Sequence, residues 1–236
     1  MIYDIAELRI KINNKFAFTD RFCIDYLSPD QESAPDLEVE VTKEEFLKEK
    51  SLTESNFSDG YIENICIYRK ICEQMPRWDR FLMHTAVLEY EGNCYAFLGK
   101  SGTGKSTHTG LWLKNLPTAR ILNGDKPIIS FKDGEFTVYG TPWMGKERYG
   151  YNGKGKLKSL CFLEQAKVNE ISLIEKENVA DRLFIQLLMP NDFLMVARSL
   201  ELADILVQTV PAYLLKCDIS FEAFQTSFSR LTGETK

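Results

Sequence analysis

The chain has 236 residues and a formal net charge of -5, with 44% hydrophobic and 27% charged content. That supplies apolar material for one main domain with a smaller one attached, and the acidic balance excludes the basic footprint of a dedicated nucleic-acid binder. The opening Met1-Ile2-Tyr3-Asp4-Ile5 has no basic stretch leading into an apolar run, and the longest apolar runs, such as 183–189, are short and interrupted by Gln186. Neither a signal peptide nor a membrane span or membrane partner is expected. The six cysteines (Cys23, Cys66, Cys72, Cys94, Cys161, Cys217) form no C-x-x-C pair, and four sit among apolar neighbours. Buried free thiols in a reducing, cytoplasmic setting are the expected reading.

Residues 1–76 read as a β-rich N-terminal segment. Apolar or alternating runs at 6–12, 22–26, 37–41 and 61–68 predict strands, separated by polar, turn-prone stretches at 28–35 and 51–60. A short charged helix is expected at 43–50. From Phe81 the pattern becomes denser and opens a second unit, 77–236. Runs at 82–89 and 93–98 predict two strands joined across Tyr90-Glu91-Gly92, and the second runs directly into Gly99. A helix is expected at 106–116, stopped by Pro117. Strands follow at 119–122, 128–131 and 136–139, with Asp133-Gly134 as the turn between the last two.

A loop rich in Gly and Lys (140–156) leads to a strand at 159–163. Residues 178–188 and 192–210 have helical periodicity, with Asn178 and Asn191 or Asp192 as caps and Pro190 as the break between them. Their Leu, Phe and Met residues read as core. A strand at 212–217 and a helix at 221–231 close a mixed α/β order.

The motif with chemical content is Gly99-Lys100-Ser101-Gly102-Thr103-Gly104-Lys105-Ser106, followed by Thr107, which fits G-x-x-x-x-G-K-[ST] at every position. Glycines let successive N–H groups turn inward around an anion, and the helix beginning near Lys105 adds its dipole and unpaired donors. In this motif Lys105 reaches the β- and γ-phosphates of ATP and Ser106 presents its hydroxyl to Mg²⁺. A glycine-rich turn that only caps a helix explains neither Lys105 nor Ser106. No L-S-G-G segment follows, no apolar run ends in Asp-Glu, and about a hundred residues precede the loop. These features argue against an ABC-type ATPase and a nucleoside-kinase-like order.

The stretch Met83-His84-Thr85-Ala86-Val87, the hairpin and the 99–107 loop resemble the C-terminal catalytic domain of HPr kinase/phosphorylase. They are similar, more distantly, to the phosphoenolpyruvate carboxykinase superfamily. The resemblance spans roughly residues 80–175. It implies an α/β fold: a mixed β-sheet P-loop core of that type with a small β-rich N-terminal segment.

It further implies that His84 lies near the transferred phosphate and that Asp125 fills an acidic position, holding Mg²⁺ or accepting a proton. By residue type alone, His84 also reads as a strand histidine satisfied by backbone, and Asp125 as a turn aspartate. The family's aspartate pair is broken here, because Asn123-Gly124-Asp125-Lys126 holds one aspartate. Gly124→Asp is the substitution that would restore it. Gly140-Thr141-Pro142-Trp143-Met144-Gly145-Lys146 resembles a G-T-P-W-x-G-K segment of short HPr-kinase-like proteins. Lys146, Arg148, Lys154 and Lys156 could close over the γ-phosphate or an acidic acceptor, and Arg148, Lys154 and Lys156 equally read as a solvated basic loop. Trp143 covers the site or packs in the core. His108 reads as a surface or packing residue.

The expected function is a Mg-ATP-dependent kinase acting on a serine hydroxyl of a protein, peptide or small molecule. Lys105, Asp125, His84 and Lys146 would form its catalytic set. The alternative is a nucleotide-binding regulatory or scaffolding protein without transfer, motivated by the single Asp125. The additional metal ligands and substrate arginines of carboxykinases are not evident. The family's oligomeric state does not carry over to so short a chain, so a homo-oligomer stays open.

Overall fold

The computed structural model describes residues 1–52 and 57–234. The turn-prone stretch expected at 51–60 therefore falls in part, at 53–56, outside the described residues.

The N-terminal segment forms a three-stranded sheet. β1 (Ile2–Ile5) and β2 (Leu8–Asn13) pair antiparallel across a turn at Ala6 and Glu7, and β3 (Leu37–Glu40) pairs parallel to β2. The run expected as one strand at 6–12 thus begins in that turn. The run at 22–26 is helical: α1 (Phe18–Phe22) is followed by a single 3₁₀ turn, Ile24–Tyr26. The charged helix is present as α2 (Lys43–Leu52).

The largest departure is 61–68, expected as a strand and found inside α3 (Asp59–Gln74). Its isoleucines suit a strand, but Ile62, Cys66, Ile67 and Ile71 recur at helical spacing and are buried, the last three in one core with the small sheet. Ser58 caps the helix by accepting from Tyr61 N, and Glu63 turns inward to accept from the N–H groups of Lys15 and Phe16.

The second unit is built from β4 (Arg80–Leu82), β5 (Ala86–Tyr90), β6 (Asn93–Leu98), α4 (Lys105–Asn115), β7 (Arg120–Asn123), β8 (Ile128–Lys132), β9 (Glu135–Tyr139) and β10 (Lys154–Gln165). There follow β11 (Glu170–Leu173), α5 (Ala180–Phe184), α6 (Phe193–Thr209), β12 (Ala212–Cys217) and α7 (Phe221–Thr232). The strand order is β4-β8-β9-β10-β6-β5-β7, with β12 parallel to β10 and β11 on its far side. β5 and β6 form the expected hairpin, β6 runs parallel to β10, and Asp133 and Gly134 turn β8 into β9 with positive φ.

Two expected elements are interrupted and one was not anticipated. The strand expected at 82–89 breaks at 83–85. Arg80–Leu82 face Ser130–Ile128, and Val87 faces Asn123, in one antiparallel register, so the two chain segments form a single ladder with a gap in its middle. The sheet curls because that ladder joins both ends of the strand order. The helix expected at 178–188 is only α5, preceded by a 3₁₀ turn. The chain after it gives its backbone to the gap instead, with Gln186 O accepting from His84 N and Leu188 N donating to Leu82 O. β11 was not anticipated from the sequence.

Asp192 caps α6 by accepting from the N–H groups of Leu194 and Met195. One core joins the small sheet and α3 to Leu82, Ile128, Tyr139, Trp143 and Met144. A second lies between the large sheet, α5 and α6, and a third between the sheet's other face, α4 and α7. All six cysteines are free, five of them buried. Among the described residues no helix is long and apolar enough to cross a membrane.

Candidate phosphate site

β6 delivers the chain into the 99–104 loop, and α4 begins at Lys105. The loop needs glycine in two ways. Gly102 and Gly104 sit at φ 83° and 99°, a region costly for other residues, and a Cβ at Gly99 would meet Thr103 Oγ1 at 2.6 Å. Thr103 closes the turn by donating from its N–H and its hydroxyl to Lys100 O. Lys105 folds back over the loop, with Nζ donating to Gly99 O at 2.8 Å and to Lys100 O at 3.4 Å. Burial lowers the pKa of its ammonium, and the nearby Asp125 charge opposes that shift. Ser106 and Thr107 are exposed in the first turn of α4, where backbone N–H groups have no intrahelical acceptor.

Behind the loop, α4 is fixed from below. His108 is buried, and its Nε2 lies 2.9 Å from Ser227 Oγ, which also accepts from Trp112 Nε1. Ser227 gives its own proton to Phe224 O, so His108 Nε2 must be the donor to it. Burial pushes the His108 imidazole down to about 4, which keeps it neutral. The packing reading of His108 is the one observed.

Opposite the loop, the gap in the β4/β5 and β7/β8 ladder brings His84 and Asp125 together. His84 Nε2 lies 2.9 Å from Asp125 Oδ1, and Lys126 Nζ donates to Asp125 Oδ2. Asp125 is placed by backbone. Buried Asn123 accepts from the N–H groups of Asp125 and Lys126 and donates to Thr141, while Thr85 N donates to Asp125 O. Burial by itself raises the Asp125 pKa, yet the bonds from His84 and Lys126 outweigh it and hold the carboxyl down at about 2. An ionised carboxylate only accepts, so His84 Nε2 is the donor in this contact.

His84, Asp125, Lys105, Ser106, Thr107 and Lys146 line one cleft of about 430 Å³, together with Ser101, Gly102, Gly104, Gly124, Gly145 and Glu147. Of the four basic residues in the 140–156 segment, Lys146 alone lines it. Lys154 pairs with Glu7, Lys156 pairs with Glu135, and the Arg148 guanidinium stacks 4.6 Å from the Phe22 ring centroid. Those three do not line the cleft; they are exposed, as the solvated reading expects, with acidic or aromatic neighbours beside them. Trp143 belongs to the core, 5.3 Å from the Tyr68 ring.

Gly124→Asp has no room in this arrangement without a shift of the neighbouring backbone. A Cβ at Gly124 would lie 2.8 Å from Met144 O and 3.1 Å from Tyr149 O, because the 144–150 segment crosses directly over it. Sequence reasoning missed Asn123, Thr141, Glu147 and Gln186. Asn123 was the readable one, since an Asn two residues before a site carboxylate is an Asx-turn signal.

The residues fit the phosphate chain of a nucleotide on three counts: a Lys ammonium folded over a glycine loop, open N–H groups at a helix start and a neighbouring hydroxyl. For Mg²⁺ the Ser106 hydroxyl is free to serve, whereas each Asp125 oxygen already holds a donor. Among the described residues no group of three or more His, Cys, Asp or Glu is arranged for a metal ion. A site using one hydroxyl with phosphate oxygens and waters would form no such group.

The chain matches no protein-family model and no curated protein sequence. A solved structure of the Hpr(Ser) kinase/phosphatase from Coxiella burnetii is similar to it with 8% sequence identity and a TM-score of 0.36. The match covers 64% of this chain and 93% of that one. A likeness of that size carries no statement about fold or activity.

Proposed function

We propose that this chain binds ATP with Mg²⁺ at the 99–107 loop and transfers a phosphoryl group to a hydroxyl acceptor, as an HPr-kinase-like P-loop kinase. The observation that supports it is the pairing, in one cleft, of a phosphate-type loop carrying Lys105 with an Asp125-oriented His84. Phosphoryl transfer asks a protein mostly for positioning and charge neutralisation. The backbone of residues 99–107 and Lys105 would hold the β- and γ-phosphates, and Lys146 would add a cation at the other side of the cleft. Ser106 would hold the metal, with Asp125 contributing through water. Bound Mg-ATP supplies the electrophilic phosphorus.

The chain's own part is the proton. Asp125 fixes the His84 ring, and Nδ1 accepts the proton of the acceptor hydroxyl, the arrangement of a base oriented by a carboxylate. Asp125 itself, held at about 2, is a poor base near neutral pH. The acceptor proposed is a serine hydroxyl of a protein, peptide or small molecule.

A second reading, a nucleotide-binding regulatory protein without transfer, is favoured by the Lys126 bond that occupies Asp125 Oδ2. The test combines ATP binding by calorimetry with mass spectrometry of an acceptor panel of free serine, HPr and peptides encoded beside the gene. The kinase reading expects a phosphorylated acceptor, lost in Lys105→Met and strongly reduced in His84→Gln. Tight ATP binding with every acceptor unmodified supports the regulatory reading. Absence of ATP binding sinks both.

A further inference from the structure

Lys126 follows the one aspartate of the broken pair and, without itself lining the cleft, is tied to Asp125, which does. Its ammonium bonds Asp125 Oδ2 and lies 5.7 Å from the centroid of the Tyr68 ring, which belongs to α3 of the N-terminal segment. Tyr68 is buried and packs on Trp143, so the ring beneath the ammonium is fixed from behind. Asn123 Oδ1 accepts from Lys126 N and Thr141 Oγ1 donates to Lys126 O, so the backbone that launches the side chain is held at both ends. The opposite oxygen of Asp125 takes the His84 donor. Two carboxylates at 124 and 125 would call for a divalent cation to offset them. Here one carboxylate is already matched by a resident ammonium, and the crowding at Gly124 closes the way back to the pair.

We propose that Lys126 is a resident cation of the nucleotide site, standing in for part of the charge that Mg²⁺ would otherwise supply at Asp125, so that nucleotide binding is only weakly coupled to the metal. The inference rests on the ATP-binding reading above. Its physical basis is reciprocity: where an ammonium already offsets Asp125, that carboxylate adds little to the hold on the metal, and its share of the metal–nucleotide coupling is small. Removing the ammonium leaves Asp125 unmatched, raises the affinity for Mg²⁺ and ties nucleotide binding to it. Because Tyr68 is core, the perturbation belongs on the partly exposed Lys126 and not on the ring.

The experiment is equilibrium binding of a fluorescent ATP analogue to the full chain, in Mg²⁺ and in EDTA, for wild type, Lys126→Met and Lys126→Arg. In wild type, removing Mg²⁺ should weaken binding by less than about fivefold, the lower edge of ordinary site–site coupling. In Lys126→Met the same removal should weaken it by more than about tenfold, and Lys126→Arg should return it to the wild-type value. A separate titration with Mg²⁺ alone should show tighter binding to Lys126→Met. Thermal unfolding checks that the Met variant is folded, and a collapsed variant leaves the wild-type and Arg comparisons to decide. Equal metal dependence in wild type and the Met variant, or a wild-type loss well above tenfold, overturns the role of Lys126 while ATP binding stands. No binding to wild type in either buffer overturns the ATP-binding reading and this inference with it.

Discussion

Acidification should loosen the helix behind the phosphate loop through one residue, His108. Its imidazole is buried on α4 with Nε2 bonded to Ser227 Oγ, and burial takes its pKa from 6.5 to about 4. The unfolded chain binds the proton below 6.5, whereas the native state refuses it until about 4. The native state is therefore fully favoured above 6.5, and stability falls as pH drops through the interval between the two values. A shift of that size corresponds to a loss of about 2 kcal/mol by about pH 5 and about 3 kcal/mol by about pH 4. Urea unfolding of wild type and His108→Gln between about pH 7 and about pH 4.5 reads it directly, since Gln keeps a donor and does not titrate. Wild type should lose stability relative to the variant across that range, by an amount near those figures. Parallel pH curves for the two proteins would refute the reasoning and place the acid sensitivity among the carboxylates.

Gly124→Asp should destabilise the fold by about 1–3 kcal/mol through overpacking against Met144 O and Tyr149 O, seen as a lower unfolding midpoint; an unchanged midpoint would mean the 144–150 segment lifts freely. A chain cut to residues 77–236 should fail to give a cooperative unfolding transition, because Tyr139, Trp143 and Met144 share their core with the small sheet and α3. Soluble, cooperatively folding 77–236 would show that this shared core is dispensable.

The glycine-rich turn into α4 was legible because its geometry is local. Gly102, Gly104, Lys105 and Ser106 act through backbone angles and the start of one helix, all within a few residues of sequence. The hairpin 86–98, the Asp133-Gly134 turn and the Asp192 cap were readable for the same reason. What the sequence concealed depends on distant partners. The 61–68 run is rich in Ile and looks like a strand, but the small sheet needs a cover, and a stripe of period 3.6 supplies it. The 178–188 run is apolar enough for one helix, yet the open edge at 82–84 takes its last residues as a partner. Lys154 and Lys156 read as free loop cations until Glu7, from the β1–β2 turn, and Glu135, from β9, arrive beside them. The His84–Asp125 contact is of this second kind, since it joins residues forty-one apart through a ladder that the sequence does not announce.

That ladder has a consequence for how the protein is made. Arg80–Leu82 against Ser130–Ile128 on one side of the gap, and Val87 against Asn123 on the other, fix a single alignment from both ends. In that alignment His84 would stand opposite Lys126 and Asp125 opposite Thr85, so an unbroken ladder would turn His84 and Asp125 to opposite faces, and the break at 83–85 is what lets them meet. The contact between them is therefore made by an interruption of the sheet and not by its regular pairing, and a chain that zipped straight through 83–85 would form more ladder and lose the pair that faces the 99–107 loop.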